Sequence, residues 1–117
     1  MANILVRMTH PPYGSSDAND GLNFAMSATN YGHEVAMLFE FDGVFQLAAT
    51  QAPTQDYKNH AKQLKSLPFF EVEPLYVCQD SLNAREPLLT LNHSGMISVS
   101  AQQKRDLINQ ADFVVTF

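Results

Sequence analysis

The chain has 117 residues, 45% of them hydrophobic, a single cysteine and a formal net charge of −5. That length suits one compact domain with one core, so residues 1–117 are read as a single domain. The acidic balance excludes a general binder of phosphate backbones, which needs a clustered basic face to release counterions. Cys78 cannot close an internal disulfide alone, and His10, His33, His60 and His93 show neither helical i, i+4 pairing nor a Cys-x-x-Cys companion. Neither a metal nor another cofactor is expected. No apolar run nears the roughly 20 residues that cross a bilayer. The start, interrupted by Arg7, lacks a basic leader with a small-residue cleavage site, so a cytoplasmic chain with no membrane segment is expected.

In chain order, Asn3 to Met8 is a short apolar strand, and the prolines and glycine of Thr9 to Ser16 make a loop. Asp17 to Tyr31 carries Leu22, Ala25, Met26 and Thr29 at helical spacing, and Gly32 suits the left-handed position that ends a helix. Gly21 weakens that helix by about 1 kcal/mol relative to alanine, which points to a close packing contact there. Glu34 to Phe41 is a second strand, apolar enough for burial on both faces.

Asp42-Gly43 then reads as a tight turn with Gly43 at positive φ. Val44 to Ala49 is a brief apolar segment, and Thr50 to Pro53 is a polar linker. Because loops after strand ends are usually polar, Val44, Phe45 and Leu47 suggest a surface for a partner. Thr54 can cap a helix to about Leu67. Its Lys58, Lys62 and Lys65 read as a solvated face.

Glu73 to Cys78 is the third strand, and a short helix starting at Asp80 or Ser81 cannot continue through Pro87. Leu88 to Leu91 and Ile97 to Val99 are brief strand candidates. Ser100 caps a last helix to about Ala111, and Asp112 to Phe117 is a closing strand that must be held in a sheet or covered, with Phe117 buried. The alternation implies an α/β fold: a three-layer α/β/α sandwich with a largely parallel central sheet of about five strands.

Cys78 is the residue on which chemistry would turn. It ends a strand and is followed at once by a helix start, a usual place for chemistry in open α/β sheets and one where backbone N–H groups favour thiolate. Asp80 and Glu73 oppose that effect, so slow alkylation at neutral pH is expected. Two readings stand: a small, partly buried residue at a strand end, or a sulfur-handling thiol. Pro12-Tyr13-Gly14-Ser15-Ser16 lacks the Gly-x-Gly-x-x-Gly or Lys-Ser/Thr elements of a phosphate-cradling loop.

Asp42-Gly43-Val44-Phe45-Gln46-Leu47 after an apolar strand, Gln51, and Tyr76-Val77-Cys78 followed by Asp80-Ser81-Leu82 and Ala84-Arg85 resemble the TusC/DsrF branch of the DsrE/DsrF-like sulfur-relay family. Pro12-Tyr13-Gly14 is similar to that family's Pro-(His/Tyr)-Gly loop, and Val114-Val115-Thr116-Phe117 to its closing strand. Arg85-Glu86-Pro87 departs from the usual Arg-Gly, and Gly32-His33-Glu34-Val35 is more like the TusD side.

The resemblance implies an accessory subunit without its own active site. It implies TusB-like and TusD-like partners in a dimer of heterotrimers that passes persulfide sulfur towards 2-thiouridine at tRNA wobble positions. Contact with tRNA would then be indirect. In that family the persulfide-carrying cysteine belongs to the TusD/DsrE-like subunit, at the position Cys78 matches. The alternatives are that Cys78 carries sulfur itself, that the chain serves a DsrF-like place in sulfur oxidation, or that it forms a homo-oligomer when alone.

Overall fold

Ile4, Leu5 and Val6 of the first strand are all buried, and successive side chains enter opposite faces, both of them packed. Ile4, Val6 and Met8 enter a large apolar cluster, whereas Leu5 belongs to a second, smaller one, as the two-residue period of a strand requires. The computed structural model describes residues 2–11, 17–47, 66–85 and 96–117. Its elements are β1 (Asn3–Met8), α1 (Asp17–Asn30), β2 (Glu34–Phe39), a 3-10 helix (Phe41–Leu47), a second 3-10 helix (Leu67–Phe70), β3 (Leu75–Cys78), α2 (Gln79–Arg85), β4 (Ile97–Val99), α3 (Ala101–Gln110) and β5 (Phe113–Thr116).

The five strands form one sheet in the order β4-β3-β2-β1-β5, with every neighbouring pair parallel. From β1 to β4 the chain steps in one direction, and it then returns across the sheet to β5. Right-handed crossovers therefore put α1 and α2 on one face and α3 on the other. Ala18, Leu22, Ala25 and Ala28 of α1 and Leu82 of α2 join the large cluster. Leu107 and Ile108 of α3 pack on Leu5, Leu38 and Val99. This is the expected three-layer α/β/α arrangement, and no helix among the described residues is long and apolar enough to cross a membrane.

Local signals account for several boundaries. Ser100 accepts from the Gln103 N–H at 3.2 Å while the Gln103 side chain accepts from the Ser100 N–H at 2.8 Å, a reciprocal cap that starts α3. Gly32 takes φ +87° after α1, as expected of a left-handed helix end. The contact expected at Gly21 is also present: a Cβ there would lie 2.5 Å from Met8 Sδ and 3.2 Å from Phe117 Cβ.

Elsewhere the structure corrects the expectation. β2 ends at Phe39 rather than Phe41, because Phe41 adopts φ +53° and turns the chain. β5 lies at a sheet edge, and Phe117 is half-buried rather than buried, stacking on Phe24 at 5.6 Å. Its backbone is nonetheless tied at both groups, donating to the Arg7 carbonyl and accepting from the Thr9 N–H. The loop over 12–16, the linker over 50–53, nearly all of the helix expected over 54–67 and the strand expected over 88–91 lie outside the described residues.

Candidate functional site at the carboxyl ends of the strands

Three strand ends and the first 3-10 helix meet where β1, β2 and β3 finish. Phe41 begins the 3-10 helix in a left-handed conformation, and its N–H donates to Ser81 Oγ of α2 at 2.8 Å. Gly43 does not have positive φ, contrary to expectation. It is glycine because the chain passes directly over β1: a Cβ would sit 1.8 Å from the Met8 carbonyl oxygen.

The six residues from Asp42 to Leu47 thus form one packed turn. Val44 and Leu47 are buried in the chain's own core, and Phe45 packs against it beneath the Arg85 guanidinium, 6.0 Å from the ring centroid. The partner surface expected at Val44, Phe45 and Leu47 is accordingly corrected: those side chains are spent on internal packing. Gln46, fully buried, donates to the His10 carbonyl at 2.9 Å, and Arg85 Nε pairs with Asp42 Oδ1 at 3.2 Å.

Glu40 is fully buried at the end of β2, held by two bonds from Arg7, Nη2 at 2.5 Å and Nε at 3.3 Å. A buried carboxylate needs such a partner, since its desolvation costs several kcal/mol. The pair lies on the α3 side of the sheet, because Arg7 follows the parity of Leu5, and Glu40 that of Ala36 and Leu38.

Cys78 is 2% exposed and shares the parity of Tyr76, which turns it towards α3. There Lys104 Nζ donates to Cys78 Sγ at 3.8 Å and stands 5.1 Å from the Phe41 ring centroid. Lys104 therefore lies against the sulfur and also near the Phe41 ring, a link to Cys78 that the linear sequence does not show. Strand parity was the signal available: a side chain two positions after Tyr76 faces the same layer. Glu73, expected beside the thiol, is at the opposite end of β3, roughly 16 Å away along an extended backbone. An ammonium beside a sulfur is an arrangement in which cysteine can act as a nucleophile, whereas enclosure of the sulfur opposes exchange with a second protein. Among the described residues no group of three or more histidines, cysteines and carboxylates could hold a metal ion.

A model of the DsrE/DsrF-like family matches residues 2–117. The chain belongs to the DsrE/DsrF-like family. Within that family it is similar to Protein TusC of Buchnera aphidicola, at 28% identity with both chains covered completely. It is 33% identical to the TusC homolog of Pseudomonas aeruginosa, covering 97% of this chain and 96% of that one. The fold is also shared with the solved structure of the ychN protein from E. coli, at TM-score 0.83 and 22% identity over the full length of both chains.

Proposed function

We infer that this chain is a TusC-like, accessory subunit of a sulfur-relay complex that passes persulfide sulfur towards 2-thiouridine in tRNA. Full-length similarity to proteins named TusC supports the pathway and favours it over a DsrF-type place in sulfur oxidation. The observation that carries the accessory role is the burial of Cys78, with Lys104 against its sulfur. A carrier must bring its thiolate to a donor's terminal sulfur, and a cysteine that is 2% exposed does not reach one without local opening. The partners of this reading are TusB-like and TusD-like subunits in a dimer of heterotrimers, with residues 1–117 as one domain and the cytoplasm, where tRNA is modified, as the location.

Co-expression with the TusB-like and TusD-like chains of the same genome, followed by native mass spectrometry, tests the assembly. Two copies of each chain in one particle are expected, and a chain that stays alone in all mixtures would contradict the reading.

The Lys104 contact favours a second reading, in which Cys78 carries sulfur. Its thiolate would attack the terminal sulfur of a donor persulfide, forming the Cys78 Sγ–S bond as the donor S–S bond breaks and the donor cysteine leaves as thiolate.

A further inference from the structure

The end of the sheet opposite Cys78 carries a second surface. A depression of about 600 Å³ is lined by Thr29, Gly32, His33, Glu34, Glu71 and Glu73, among others. Glu73 also lines two adjoining depressions, one of about 220 Å³ beneath α3 and one of about 490 Å³ beside Pro74 and Ile97. The three form one concave strip that meets at Glu73.

Among the described residues its charge has one sign: none of those lining the strip is lysine or arginine, and Glu34, Glu71 and Glu73 make no ion pair among them. Helices in a parallel α/β layer run against the strands, so α1 and α3 both end here, α1 at Asn30 beside Gly32 and α3 at Gln110 in the strip itself. Neither has a basic residue in its last turn to offset the partial negative charge of its terminal carbonyls. His33 adds no donor at Nδ1, which accepts from the Ala2 N–H at 3.2 Å.

Aromatic side chains flank these carboxylates. Tyr31 is 84% exposed immediately before Gly32, and Phe69 and Phe70 are 90% and 45% exposed immediately before Glu71, their rings edge to face at 6.5 Å. Solvent-facing aromatics beside unpaired charge are costly to leave in water and characteristic of docking surfaces.

We propose that this strip, Tyr31 and Phe69-Phe70 around Glu34, Glu71 and Glu73, docks a partner subunit that presents lysine or arginine side chains beside an apolar contact. Charge complementarity selects that occupant: three carboxylates and two helix carboxyl ends exclude an acidic surface and attract a basic one. The inference rests on the reading of the chain as a relay-complex subunit. It places the contact at the pole remote from Cys78, leaving the strand carboxyl ends outside it.

The test uses the full chain co-expressed with its TusB-like and TusD-like chains, with assembly measured by analytical ultracentrifugation for wild type, Glu71→Lys/Glu73→Lys and Phe69→Ser. Circular dichroism checks that each variant folds, which is expected because all three residues are exposed. Both variants should assemble at least about tenfold more weakly, and raising the salt should weaken wild-type assembly. If wild type assembles and both variants assemble equally well, the surface is not the docking site. If wild type itself stays alone, the subunit reading falls and the inference with it.

Discussion

Replacing Gly43 by alanine should destabilise the fold by about 3 kcal/mol or more. The added methyl would meet the Met8 carbonyl oxygen at 1.8 Å, the Met8 carbonyl carbon at 2.5 Å and the Thr9 nitrogen at 3.1 Å. All three are backbone atoms at the end of β1, so no side chain can swing aside. Relief requires the 3-10 helix to lift from the sheet, which would withdraw Val44 and Leu47 from the core and Gln46 from the His10 carbonyl. Gly32→Ala provides the comparison, since that site is strained at φ +87° but has nothing within 4 Å of a new Cβ. It should cost only about 1–2 kcal/mol. Urea unfolding midpoints measure both, and a Gly43→Ala protein as stable as Gly32→Ala would contradict the packing described for the turn.

The second large effect is expected at Arg7. Arg7→Met leaves the Glu40 carboxylate buried without its bidentate partner, and breaking such a pair costs about 3–5 kcal/mol. Arg7 retains 27% side-chain exposure, so water can partly replace it and the loss should fall at the low end, about 3 kcal/mol. Arg7→Met/Glu40→Met should recover much of that loss, because the uncompensated carboxylate is then gone. A double-mutant cycle from chemical denaturation reads the coupling directly. Additive single-mutant effects would show that the pair does not act as a unit.

These two sites also show which parts of the fold were legible along the chain. β1, the capping box at Ser100 and the left-handed Gly32 each rest on residues close together in the chain, and each is found where local chemistry puts it. Gly43 looked like a turn glycine because only its neighbours in the chain were visible. Its reason is the backbone of Met8, 35 positions earlier and brought underneath it by the parallel pairing of β1 and β2. The same distance in sequence hid the fate of Val44 and Leu47: an apolar run after a strand end is equally consistent with a surface and with a turn folded back on the core.

The site divides in the same way. That Cys78 ends a strand was readable from the apolar run and the helix start that follow one another there. Lys104 lies 26 positions away on the helix that returns across the sheet, and its contact with the sulfur depends on the reversal of direction between β4 and β5. Side-chain parity indicates the face Cys78 occupies, but not which residue of α3 reaches it. The family resemblance, by contrast, was carried by short motifs, and the match of residues 2–117 agrees with it.

The central claim is that the chain supports tRNA thiolation as a subunit without using Cys78 as the carrier. The direct measurement is the 2-thiouridine content of tRNA, by nucleoside mass spectrometry, in cells whose own copy of the chain is deleted and replaced by wild type or Cys78→Ser. Deletion should abolish most thiolation and Cys78→Ser should restore it close to wild type, whereas full loss of thiolation with the complex still assembled would contradict the account and make Cys78 the carrier.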